Sequence, residues 1–271
     1  MPVSSTHTDY DATASAWSRA RDVLAGEDAV KAGRERYLPR LDSQTDDEYL
    51  AYQARASFFN ATARTAEGYT GLIFRRPPFV KIPEGSGIGV ALSEFVNDVD
   101  MLGTSLFGYA KNVVNEVIGV GRAGTLIDWE GEFENRVYAS LYTAEHIINW
   151  RVERVNGRNI PTLIVLQECG KPKSGAGDDE FARPEVEQIR VLKLVPEDGQ
   201  RVDGGTLLRC VVELWQPKEQ KRKSNRAEWE LMESRVPLRL GKPLPLIPFV
   251  FHGPRHSRAD VDSRAKASVN L

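Results

Sequence analysis

Ile147–Val155 (IINWRVERV), Asn156–Gly157 and Pro161–Gln167 (PTLIVLQ) decide the fold class of this chain. The two flanking runs are rich in β-branched and apolar residues, which suits half-buried strands. The Asn-Gly pair between them tolerates the positive φ angles that a tight hairpin turn demands. An antiparallel hairpin is therefore expected here. Working outward, Thr125–Trp129 and Arg136–Leu141 read as earlier strands, and Gln188–Leu194, Thr206–Gln216 and Ala227–Glu233 as later ones. Asp198-Gly199 and Gly204-Gly205 read as turns, and the polar stretch Gly170–Arg183 as an exposed loop. Leu240–Phe251 (LGKPLPLIPFVF) reads as a strand entering a new element.

Before Gly124 the period is helical. Ala12–Ala25 carries Trp17, Val23 and Leu24 among charged residues and stops at Gly26. Thr45-Asp46-Asp47-Glu48 has the form of a capping box, with Thr45 as N-cap. Tyr49, Tyr52, Ala56, Phe59 and Ala63 then recur at helical spacing, and one helix is expected to run on to Phe74 and end before Pro77-Pro78. A second stripe (Leu92, Phe95, Val96, Val99, Leu102, Leu106, Tyr109 and Val113) predicts a core-facing helix over Val90–Val117, interrupted near Gly103. The expected class is α+β: a helical part over 1–121, an antiparallel β meander over 122–251, and a basic tail over 252–271.

Composition narrows the function. The 271 residues are 41% hydrophobic and 27% charged, near the averages for a globular protein. No apolar run is long enough to span a membrane, and the N-terminus lacks the basic-then-apolar pattern of a signal peptide. The two cysteines, Cys169 and Cys210, form neither a metal-binding pair nor a disulfide framework. A net charge of −2 argues against a protein that wraps duplex DNA by neutralising phosphates.

No motif makes a case for catalysis, a cofactor or a metal. Gly119-Val-Gly-Arg-Ala-Gly124 spells G-x-G-x-x-G, but a helix precedes it and a strand follows, the reverse of the dinucleotide-binding context. It reads as a flexible helix-to-strand turn. His252 and His256 stand four apart but enclose Gly253 and Pro254, and read as a solvated tail. His146 reads as a strand-edge histidine, and His7 as part of a frayed terminus. Two basic clusters remain as interaction candidates: a hairpin tip with Lys218, Lys221, Arg222, Lys223 and Arg226, and a tail with Arg255, Arg258, Arg264 and Lys266. Either is a solvated surface, or a contact for a neighbouring subunit, a shell protein or nucleic acid. Trp129, Trp150, Trp215 and Trp229 are candidate interface anchors or strand-face core residues.

Several segments resemble the portal proteins of tailed bacteriophages. They are Trp17–Gly26 (WSRARDVLAG), Val30–Gly33, Tyr37–Pro39, Tyr49–Ala56 (YLAYQARA), Asn60–Thr65 (NATART), and on past Gly68 and Gly71 to Pro77-Pro78. In the β part they are Tyr142–Trp150 (YTAEHIINW), Leu163–Glu168 (LIVLQE) and Pro245–Val250 (PLIPFV). The resemblance covers Trp17 to Phe251 and includes no catalytic signature.

It implies a structural subunit of a twelve-fold ring at one vertex of the phage head, with helical front and β meander forming the peripheral wing. The implied partners are further copies of itself, a capsid or scaffold protein, the terminase, and a head-completion or tail adaptor. DNA would pass through the channel without sequence specificity, and no membrane is involved. The implied location is the virion, and the host cytoplasm during assembly. The family's stem helices, clip and crown follow the wing, and the residues after Phe251 are too few to hold them. Ala267–Leu271 resembles the first turn of a stem helix. The chain is thus expected to represent a portal cut short after its wing. A monomeric, prophage-derived adaptor or protein-binding module is the alternative.

Overall fold

The computed structural model describes residues 2–82, 87–131, 135–170, 185–202, 205–218 and 228–253. Helices come first: α1 Thr8–Ala25, α2 Glu27–Ala32, α3 Asp46–Arg55, α4 Ala61–Ile73, α5 Gly87–Asn97 and α6 Leu106–Gly119. Strands follow: β1 Ala123–Glu130, β2 Arg136–Thr143, β3 Ile147–Val155, β4 Arg158–Gly170, β5 Val186–Val202, β6 Gly205–Pro217, β7 Trp229–Arg235, β8 Leu238–Arg239, β9 Lys242–Pro243 and β10 Phe249–His252. All pairings among them are antiparallel, so the fold is α+β.

Local chemistry accounts for the helix ends. α1 begins four residues before the expected Ala12, because His7 caps it: Nδ1 accepts from the Asp9 amide, and Asp9 and Asp11 sit in the positive first turn. The terminus is therefore anchored where fraying was expected, and the His7 amide also donates to the Ile148 carbonyl at 2.9 Å. The capping box before α3 is present, with the Thr45 amide donating to Glu48 Oε2 at 2.8 Å.

The single helix expected from there to Phe74 is instead two. α3 stops at Ala56, whose ψ is 138°, and the chain restarts at Asn60. Contacts with the first helices hold the break open. The Asn60 side chain caps Ala63 and also donates to the Leu24 carbonyl at 3.2 Å, while Glu27 accepts from the Phe58 amide. The interruption expected near Gly103 separates α5 from α6. There Asp98 and Asp100 accept from the amides of Gly103, Leu102 and Thr104, and Ser105 caps α6.

The strands divide into two main sheets rather than one meander. β3-β4-β5-β6-β7 run in sequence order, and the Asn156–Gly157 turn joins the first pair with φ of 48° and 76°. β1 and β2 belong to a separate sheet ordered β10-β1-β2, so the run ending at Phe251 closes a sheet begun more than a hundred residues earlier in the chain. The short 3₁₀ turn Ala144–His146 between β2 and β3 diverts the chain from one sheet to the other. Asp198-Gly199 lies within β5, beside a register slip between Pro196 and Arg201, and is not a hairpin turn. Gly204 and most of the predicted 170–183 loop lie outside the described residues.

The core sits between the sheets. Ile164 and Leu166 of β4 and Leu192 of β5 join Leu126, Ile147, Trp150, Ile247 and Phe249. The alternate residues Val165, Ile189 and Val191 face the other way, against Ile148, Trp215 and Trp229. Trp17 of α1 packs on Val120 and Ala144, while Val99 and Tyr109 cover Ala139 of β2. A polar clasp also spans the sheets. Arg190 of β5 lies 2.7 Å from Glu168 of β4 and 3.3 Å from Asp128 of β1; Asp128 is also 3.1 Å from Arg235 of β7. Tyr142 of β2 donates to Glu168 at 2.5 Å, and its burial together with that carboxylate pushes the phenol's pKa up.

Candidate functional site

Of the predicted basic residues, only Lys218 is described. Its amide donates to the Glu228 carbonyl at 2.7 Å, and its Nζ lies 3.8 Å from the Glu228 carboxylate. Lys221, Arg222, Lys223 and Arg226, and the tail residues Arg255, Arg258, Arg264 and Lys266, lie outside the described residues. Of the four candidate tryptophans, only Trp129 is exposed; Trp150 is buried, and Trp215 and Trp229 pack on the β-sheet core.

The glycine-rich stretch is a helix-to-strand turn, with Gly121 at φ 90°. It is buried and tightly packed rather than flexible. A Cβ on Gly119 would come within 2.7 Å of Leu24, and one on Gly124 would run into the Phe249 ring. Within this turn sits the least expected residue of the molecule. Arg122 is only 1% exposed, and its Nε and Nη2 have no hydrogen-bond partner among the described residues. Its guanidinium lies 3.7 Å from the centre of the Trp150 ring, 5.1 Å from Phe251 and 5.7 Å from Trp17. His7 stacks on Trp150 at 4.0 Å, so the indole is sandwiched between imidazole and guanidinium. Burial pushes the Arg122 pKa down to about 9, still leaving it charged at neutral pH.

His252, expected in a solvated tail, is half-buried at the end of β10. Its Nε2 is 2.7 Å from Thr125 Oγ1, which is 2.8 Å from the Tyr109 hydroxyl, so one polar chain links β10, β1 and α6. Burial lowers the His252 pKa. His146 lies in the 3₁₀ turn, exposed, with Nδ1 2.8 Å from Thr143 Oγ1. Arg21 completes the junction, binding Glu116 of α6 at 2.6 Å and Glu145 at 2.9 Å.

A second feature lies on the helical surface. α4 and α6 run antiparallel, joined by a Thr70–Asn115 hydrogen bond of 2.8 Å and an edge-to-face contact of Phe74 with Phe107. The outer side of α4 and the segment beyond it leave Tyr69, Leu72 (66% exposed), Ile73 and Phe79 (90%) in solvent. The stripe read as core in α5 and α6 holds for Phe95, Val99, Leu106, Tyr109 and Val113, but Leu92 and Leu102 (86%) face outward. The helical period of the stripe places residues on a face. It does not say where the covering layer ends.

A cleft of about 620 Å³ lies between the 3₁₀ turn Arg34–Arg36 and α3. Arg36 and Arg40 at its wall are tied to Asp22 and Asp46, at 3.2 and 2.7 Å. No family model matches the chain, and no curated protein matches it.

Proposed function

We propose that the chain is the wing part of a tailed-phage portal subunit, a structural component whose helical layer contacts a neighbouring copy in a ring. The observation that carries this reading is the row of exposed apolar side chains on α4 and just past it, Tyr69, Leu72, Ile73 and Phe79. An exposed apolar surface of this kind marks a protein contact more often than a monomer's bare face. A ring closes by repeating one heterologous contact, so each subunit needs such a face and a complementary one. The segments that resemble portal proteins run through both the helices and the strands, and their order agrees with a helical front followed by a β-rich rear. On this reading the partners are further copies, a capsid or scaffold protein, the terminase motor and a tail adaptor, with DNA passing through the assembled channel.

Sedimentation velocity over a wide concentration range tests the reading on the chain and on a Leu72→Glu/Ile73→Glu double variant. The chain is expected to self-associate reversibly, and the variant to stay monomeric with an unchanged melting temperature. A chain that is monomeric at every concentration would shift the reading to a monomeric adaptor.

A further inference from the structure

Two opposing sets of contacts act on β10. Among the described residues it is the edge strand of its sheet, and it pairs with β1 from Ala123↔His252 to Leu126↔Phe249, with one further bond from the Ile127 amide to the Pro248 carbonyl. Several features hold it there. Phe249 fills the space that the missing side chain of Gly124 leaves, His252 bonds Thr125, and Gly253 lies where a Cβ would meet the Gly121 carbonyl oxygen at 2.8 Å. Against these stands Arg122. Phe251 of the same strand packs over its guanidinium, which has Nε and Nη2 unpartnered and no ion pair among the described residues.

Taking a cation out of water is strongly unfavourable, and the Asp9 carboxylate, acting through space without a contact ion pair among the described residues, offsets only part of that cost. The aromatic faces return part of that loss, but only Trp150 is close; Phe251 and Trp17 stand near the outer limit for such contacts. Trp17 and Trp150 belong to α1 and β3 and lie deep in the core. Phe251, partly buried on an edge strand, is the least buried of the three aromatic covers, and lifting it breaks its edge-to-face contacts with Trp150 and Phe249. Lifting it rehydrates the guanidinium.

We propose that β10 is a spring-loaded closing strand: the buried, unpaired Arg122 works against its docking, so that the strand opens from β1 as a unit while the five-stranded sheet stays intact. Local openings of this kind draw on elements with few pairings and little cover, and exchange of backbone amides reports them directly.

Hydrogen–deuterium exchange of the whole chain, compared with Arg122→Met, tests the idea. Methionine keeps much of the length and apolar bulk while removing the charge. Amides of 249–252 in the parent chain should exchange at least about tenfold faster than those at the centres of β4 and β5. In Arg122→Met they should slow by about tenfold, with β4 and β5 unchanged. Unchanged or faster exchange of 249–252 in the variant would overturn the proposal, because Arg122 would then be neutral or an anchor. Arg122→Gln, also neutral, should slow exchange in the same direction. If neither variant folds, Arg122 is required for the fold and the proposal fails.

Discussion

His252 lies where one proton changes the strength of a whole contact. Its ring is half-buried against Thr125, and burial disfavours the charged form, so the native state holds its proton less tightly than the unfolded chain does. A free histidine titrates near pH 6.5. As pH falls through that value, the unfolded chain gains a proton that the native state resists, and stability is lost until the lowered native pKa is reached. Melting temperatures measured between about pH 7 and pH 5 should therefore fall more steeply for the parent chain than for His252→Gln. Equal slopes would mean that His252 stays hydrated. Neither this residue nor His7 was legible in the sequence. Both look like polar residues near chain ends, and nothing local announces the Trp150 ring against one or the Thr125 hydroxyl against the other. Arg122 was hidden for a different reason: a glycine-rich spelling shows that the backbone turns, not what the turn is buried under.

At the scale of elements, alternation and turn chemistry were readable. β3 has the bounds read from its sequence, and the Asn-Gly turn after it has the expected positive φ angles, because both are set by residues within a few positions of one another. The break between α3 and α4 was not readable. Ala56–Phe59 contains neither glycine nor proline, and the helical period carries straight across it. What stops the helix is reach: the Asn60 amide finds Leu24, and Glu27 finds the Phe58 backbone. Asn60 thus serves as both cap and tether. Asn60→Ala should lower stability by about 1 to 2 kcal/mol in urea unfolding, the upper part of the range for a lost cap. An unchanged midpoint would show that the break persists without its cap.

At the scale of the molecule, two sheets are held face to face by an apolar core and by the clasp around Arg190. Its partners Glu168 and Asp128 come from different sheets, and all three side chains are mostly shielded from water. Arg190→Leu would leave two carboxylates near each other without their shared cation. A loss of about 3 kcal/mol is expected, read by chemical denaturation, since breaking a shielded ion pair from one side strands the other charge. A loss within experimental error would mean that water or Arg235 takes over. The α+β class could be read from the change of period near Gly124, but the split into two sheets could not, because the deciding partnership joins distant parts of the chain. That partnership also sets an order on folding. β1 and β2 can pair as soon as both have left the ribosome, yet Leu126 must wait for Phe249 before its other side is closed. Until then the nascent protein carries an open strand edge over a half-built core, a state that invites mispairing with other chains. Synthesis that halts before Ile247 would leave that state permanent, making the last few residues of the described fold its seal against aggregation.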